Sequence, residues 1–388
     1  MKTDRDIYLD NSATTRCFPE VAALMNEIFL EDYGNPSSMH HRGVTAERRL
    51  AEAKRILAGI LKVREKNLYF TSCGTESDNL AIIGGALAAQ RRGRHLITTP
   101  IEHPAVLESM KYLEAQGFEI TRLGVDRDGL VSPEEVAAAV RPDTILVSVM
   151  HTNNEIGAVE PVAEIGRAVK AVNPKTLFHV DAVQGFGKAL IQPKRMNIDL
   201  LAASGHKIHG PKGVGLLYVA DGVRLEPLLH GGGQQGGMRS GTENVPGIAG
   251  MALAAQMLYK NLDEDREKLF AMKKRLREGL GQIPDVAFNG RTDGTEAPHI
   301  LSVRIPGVRA EVLLHALEDK GIYVSSGSAC SSNHPRPSDT LTAIGTPQSE
   351  MDNSIRMSLS VMNTMEEMDA AAQAVAETVP FLRRFVRR

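Results

Sequence analysis

The chain has no tryptophan, 3 cysteines and only 4% aromatic residues in 388. Cys17, Cys73 and Cys330 are too few and too scattered for a disulfide framework, and they lack the spacing of a zinc site. Charge of one sign is also missing. A formal net charge of -2 offers no electrostatic basis for gripping nucleic acid or an anionic membrane. No apolar run approaches the length of a membrane span. The opening Met1-Lys2-Thr3-Asp4-Arg5-Asp6 is charged and contains no apolar signal region, so a cytoplasmic location is expected. In a reducing compartment a lone cysteine is either inert core or a reactive thiol, and its context decides which.

What is present is length and rhythm. A chain of 388 residues can build two domains with sizeable cores. Apolar runs alternate with helical periodicity: strands at 68–71, 95–98, 145–150 and 177–180, and near Ile120, with helices at 75–91, 104–116, 132–140 and 161–172 between them. Helices at 19–32 and 44–61 come first, joined by the turn-forming Gly34-Asn35-Pro36-Ser37-Ser38. This is the βαβ rhythm of a mostly parallel, doubly wound α/β sheet, in which ligands sit at the carboxyl ends of strands. A long helical pattern covers 244–279, and the domain boundary is expected inside it. That divides the chain into a large domain, 16–255, and a smaller α+β domain made of 1–15 and 256–388. The smaller domain should have strands near 299–305 and 354–359, with helices near 309–320 and 365–384.

One stretch organises the chemistry. An apolar run from Ile198 to Ala203 stops at Ser204-Gly205-His206-Lys207, and a second apolar run begins at Val214. A lysine between two buried strands is uncommon, and burial or a nearby cation makes its amine a nucleophile toward carbonyls. By itself the stretch also reads as a surface turn, since Gly and Pro punctuate turns. A phosphate-binding P-loop is excluded, because Pro211 separates Gly210 from Lys212 and Gly213 stands where Ser or Thr is required. Upstream, Phe178-His179-Val180-Asp181 is an apolar strand ending in an acid. A carboxylate and a lysine at the ends of consecutive strands are what a pyridoxal phosphate site requires. The acid holds the proton on the ring nitrogen and the lysine binds the aldehyde.

With these residues in place, the chain resembles the cysteine desulfurases of the NifS/IscS type, in the class V aminotransferase family of fold-type I pyridoxal phosphate enzymes. The resemblance runs from Tyr8-Leu9-Asp10-Asn11-Ser12-Ala13-Thr14-Thr15 to Asn363-Thr364-Met365-Glu366-Glu367. It implies a large domain around a mostly parallel seven-stranded sheet plus a smaller α+β domain. It implies that Lys207 binds the cofactor and that His103, in Glu102-His103-Pro104, lies on the ring and moves protons. Asn153 would sit beside the ring and the substrate carboxylate, Gln184 would donate to the ring hydroxyl oxygen, and Asp181 would face the ring nitrogen. The phosphate would be held by Gly74 and Thr75 at a helix start, where Thr75 can also cap, by Ser204 and His206, and by Thr242 reaching across a homodimer interface. Arg356 would grip the substrate α-carboxylate, a task suited to a guanidinium fork. Cys330, in Ser325-Ser326-Gly327-Ser328-Ala329-Cys330, would be the thiol that takes sulfur from L-cysteine.

The activity so implied is removal of sulfur from L-cysteine, leaving L-alanine and a persulfide on Cys330 for an iron–sulfur scaffold or other acceptor protein. Cys330 would also be open to acting as a transient iron–sulfur ligand, with no resident metal. A class V aminotransferase, a selenocysteine lyase or a non-catalytic scaffold on the same fold are the alternatives, and the cysteine-bearing loop and the intact residue set argue against them. Four positions depart from the family's pattern, one of them Ser360, where a Gly commonly follows the Arg356 strand. Cys73 stands where Gly or Ala is usual and reads as a small buried residue, whereas Gln235 and Met238 alter the glycine-rich loop before Thr242 and put its packing in question.

Overall fold

A computed structural model of the chain describes residues 6–326 and 337–385. Among these residues the largest sheet has seven strands, ordered Leu68–Thr71, Gly215–Val219, Leu200–Ser204, Leu177–Asp181, Thr144–Ser148, His95–Thr98 and Glu119–Arg122. Gly215–Val219 runs antiparallel to both neighbours and the remaining pairings are parallel. The central strands are buried on both faces, which is why they read as unbroken apolar runs. One core packs Val21, Leu57, Phe178, Leu201 and Met251 against one face. A second, built on Ile82, Leu96, Leu146 and Leu217, covers the other. The mostly parallel α/β sheet expected from the sequence is therefore present.

A third core joins the N-terminal Ile7 and Leu9 to Leu269, Leu276, Val303, Ile355, Met357 and Met368. Its sheet has four strands, Ser325–Ser326, Ser354–Ser358, Ile300–Arg304 and Ala287–Asn289, paired antiparallel. Beside it, Ile7–Tyr8 pairs parallel with Ile322–Tyr323. The helical pattern at 244–279 is two helices, Val245–Lys260 and Leu262–Leu280, broken at Asn261. The physical cause is that they serve different cores. Met251 to Leu258 pack under the large sheet, whereas Leu269 to Leu280 pack with the smaller sheet.

The helix expected at 75–91 is also interrupted. Gly74–Asn79 runs into a π-helical turn at Leu80–Gly84 and resumes as Gly85–Ala89. There the Gly84 carbonyl accepts from the Glu226 N–H at 2.9 Å, and a side chain at Gly84 would collide with the Glu226 carbonyl. π-helical turns are a recurrent local solution near functional sites.

Gln235 has a clear structural role. Leu68–Thr71 is an edge strand, and the Gln235 amide pairs with both backbone groups of Phe70: its Oε1 accepts from the Phe70 N–H at 2.6 Å, and its Nε2 donates to the Phe70 carbonyl at 2.7 Å. The side chain closes one step of an open edge. Met238 packs onto the core around Leu96 and Leu217. Both departures in the glycine-rich loop are thus packed against the sheet. A glutamate at 235 has an acceptor but no donor and would leave the Phe70 carbonyl facing a carboxylate. Gln235→Glu is expected to cost about 1–3 kcal/mol of stability, read as a lowered thermal midpoint.

Candidate active site

The carboxyl ends of the parallel strands deliver their side chains to one cavity of about 270 Å³, closed on the far side by Arg356 from the smaller sheet. Lys207 ends a short turn, Gly205–Lys207, between two antiparallel neighbours of the large sheet. Its Nζ donates to the carbonyls of Ser12 at 2.5 Å and Ala13 at 2.8 Å. The N-terminal segment therefore closes over the amine, and Thr15 secures it by donating N–H and Oγ1 to the His206 carbonyl, each at 2.9 Å. A second lysine braces the turn. Lys188 Nζ donates to the Lys207 carbonyl at 2.7 Å, and burial, then the charge of Lys207, push its amine down to about 7.

Asp181 ends its strand nearly fully buried, with Oδ1 accepting from the Val183 N–H at 2.9 Å. Burial raises its acid range, and the nearby His103 and Lys207 oppose the rise. His103 sits at the start of helix Pro104–Ala115, and its Nδ1 accepts from the Ala105 N–H at 3.1 Å. A neutral ring in that geometry carries its proton on Nε2. Burial, ahead of Lys207, lowers its basicity, while Asp181 raises it. His206, with Nδ1 within 3.2 Å of Thr14 Oγ1, is held down to about 4 by burial and by Lys207, Lys212 and Lys188. Both rings are neutral near pH 7.

Arg356 is 4% exposed. Its Nη2 donates to Asp10 Oδ1 and its Nη1 to the Asn154 carbonyl, both at 2.8 Å, and Nε has no partner among the described residues. Asp10 thus orients the guanidinium, a part the sequence reading did not assign. Its only signal was its place in the N-terminal motif.

Gly74, Thr75, His103, Asp181, Gln184, Ser204, His206, Lys207 and Arg356 all border the cavity. Three assignments differ from expectation. Asn153 does not border it. Its Nδ2 donates to the Ile101 carbonyl at 2.9 Å and to Thr340 Oγ1 at 3.2 Å, and its Oδ1 accepts from the N–H groups of Glu155 and Ile156, each at 2.9 Å. The amide is fully committed to holding the loop, and the adjacent Asn154 borders the cavity instead. Thr75 does not cap: the cap position is Cys73, whose side chain makes no capping bond. Cys73 is not buried but half-exposed on the cavity wall. Thr242 is exposed and is not among the residues bordering this chain's cavity. Its loop is pinned by Arg239, which donates from Nε to Glu76 Oε1 at 2.8 Å and from Nη2 to Glu76 Oε2 at 3.3 Å. Cys330 lies outside the described residues. Gln184 Nε2 donates to the Ser12 carbonyl at 2.9 Å.

These residues fit pyridoxal phosphate. The hydroxyls of Ser12 and Ser204 border the cavity, are buried, and have no hydrogen-bond partner among the described residues. Unsatisfied buried polar groups are costly unless a ligand completes them. Ser204 lies near the start of Gly74–Asn79, where a Cβ built on Gly74 would come within 3.5 Å of the Ser204 Cβ, so the hydroxyl and a helix start converge on one anion site. The buried Asp181 carboxyl suits a cationic ring nitrogen.

Comparison with known proteins agrees. Residues 7–371 match the model of the family described as aminotransferase class-V. The chain is 45% identical over 380 residues to a Methanosarcina thermophila protein named cysteine desulfurase IscS, covering 98% of this chain and 93% of that one. It is 44% identical over 379 residues to a Trichormus azollae protein named cysteine desulfurase, covering 97% and 94%. A solved structure named NIFS-like protein superposes with a TM-score of 0.92 at 40% identity, covering 97% of this chain and 100% of that one. The fold, the cavity and these matches together make the chain a member of the class-V aminotransferase family of pyridoxal phosphate-dependent enzymes.

Proposed function

We propose that this chain is a cysteine desulfurase: it removes sulfur from L-cysteine, releases L-alanine and carries the sulfur as a persulfide on Cys330. The observation that carries the reading is the register of the smaller sheet. Ser325 lies opposite Arg356, which faces the cavity, in neighbouring strands, and Cys330 follows Ser326 by four residues in the sequence. Four residues beyond Ser326 span at most about 14 Å.

When bound, pyridoxal phosphate supplies the electron sink that lets an amino acid lose its α-proton and, from cysteine, its sulfur. Ser204, neutral His206 and the helix start at Gly74 hold its phosphate, Asp181 holds the ring nitrogen, Gln184 the ring oxygen, and Lys207 the aldehyde. Arg356 and Asn154 hold the substrate carboxylate, with Asp10 fixing the guanidinium. His103, which feels the charges of Asp181 and Lys207, exchanges a proton with the amine or the substrate. The Cys330 thiolate attacks the substrate sulfur, the carbon–sulfur bond breaks, and the sulfur stays on Cys330 until an acceptor protein, such as an iron–sulfur scaffold, takes it.

Thr242, exposed on a pinned loop, supports a homodimer in which it completes the partner's phosphate site. The chain divides into two domains near Asn261, with the N-terminal strand joined to the smaller one. No helix among the described residues is long and apolar enough to cross a membrane.

The test is turnover of L-cysteine by the purified chain with a thiol reductant present. Alanine and sulfide should appear in equal amounts. Amino transfer to an oxoacid without sulfide, or activity confined to L-selenocysteine, contradicts the proposal. Arg356→Lys is expected to raise KM for cysteine by about tenfold or more, because a point charge replaces a bidentate fork. Steady-state kinetics measures it, with kcat expected to change less.

A further inference from the structure

Beneath the cavity lies a polar contact that the chemistry above does not use. Asp78, from helix Gly74–Asn79, is 1% exposed and borders the cavity. Its Oδ1 is 3.4 Å from Nε2 of His179, which is fully buried. Among the described residues neither atom has a hydrogen-bond partner. His179 precedes Asp181 by two positions on strand Leu177–Asp181, so both side chains leave the same face of the strand. On its other side His179 Nδ1 lies 2.9 Å from the hydroxyl of Ser148, its partner on the adjacent strand.

We infer that Asp78 is held as a neutral carboxylic acid that donates its proton to His179 Nε2, leaving Asp181 as the anion facing the cofactor ring. One proton placed between Oδ1 and Nε2 satisfies both orphaned atoms, with His179 donating from Nδ1 to Ser148. An ionised Asp78 would be a second buried negative charge beside Asp181, near the site for a phosphate. The ionisable groups around it, Asp181, Glu102 and Cys73, all add to the cost, and no cation among the described residues offsets them. Burial and these neighbours carry the Asp78 carboxyl well above the usual range, and burial pushes His179 down to about 3, so both are neutral together. Asp78 is then a positioning residue. It fixes His179 under Asp181 and keeps the phosphate cup free of a competing charge. This role depends on the cofactor reading only through the cup; the protonation state of Asp78 stands apart from it.

The test is an infrared difference spectrum between the full-length chain and Asp78→Asn at neutral pH, recorded with and without pyridoxal phosphate. The expected result is loss of one carbonyl stretch of a protonated carboxylic acid. Asparagine keeps a donor for His179 and is always neutral, whereas leucine leaves Nε2 unsatisfied. Asp78→Asn should therefore bind pyridoxal phosphate about tenfold more tightly than Asp78→Leu. Loss of a carboxylate band instead of a protonated-acid band overturns the inference, as does equal cofactor affinity of the two variants. Neither outcome bears on whether the chain desulfurates cysteine.

Discussion

Cys330→Ser is expected to bind pyridoxal phosphate and L-cysteine as the unaltered chain does, yet to lose alanine and sulfide production by roughly 10³-fold or more, the scale of loss when a covalent nucleophile is removed. The residues proposed to bind cofactor and substrate, Lys207, Asp181, Gln184, Ser204 and Arg356, do not include this thiol. A hydroxyl at neutral pH is a far poorer nucleophile toward sulfur than a thiolate. The visible spectrum should still respond to added L-cysteine while product assays show almost nothing. Normal alanine production by the variant would mean that sulfur leaves the substrate without a protein thiol, and the chain would then be a lyase that releases its substituent directly.

Lys207→Ala is expected to abolish both turnover and the visible absorption of bound cofactor, because its amine is the one held in the cavity by the Ser12 and Ala13 carbonyls. The nearest replacement in chemical terms is Lys188, whose amine is lowered to about 7. That amine is turned to the Lys207 carbonyl and braces the turn from behind. Absorption spectroscopy and a cysteine assay check the expectation together. Residual turnover that disappears in the double variant with Lys188→Ala would transfer the role to Lys188. Full turnover in Lys207→Ala would remove Lys207 from the mechanism.

Much of this was legible because the large sheet is buried on both faces. Strands such as Thr144–Ser148 and Leu200–Ser204 leave a near-continuous apolar trace, and the polar residues that follow them stand out as strand ends. That is why Asp181 and Lys207 could be placed at one edge from sequence. Positions decided by side-chain direction were not legible. Asn153 and Asn154 are chemically identical neighbours, and only the loop's path shows that one amide ties the loop to Thr340 and the other borders the cavity. The break at Asn261 was hidden because both flanking segments are good helix formers, and it follows from two separate cores. Ile322–Tyr323 and Ser325–Ser326, two residues each, are too short to show alternation, although the second precedes Cys330 by only four residues in the sequence. The Asp10–Arg356 pair joins residues 346 apart in sequence, so no local pattern announces it.

The central claim is that the substrate's sulfur passes through Cys330, and mass spectrometry of the chain after one turnover with L-cysteine and no reductant tests it most directly. The account predicts about one added sulfur atom on the peptide that contains Cys330, as transfer to one thiol requires. Sulfur found on the Cys73 peptide from the cavity wall, or alanine formed with no sulfur retained on the chain, would contradict it.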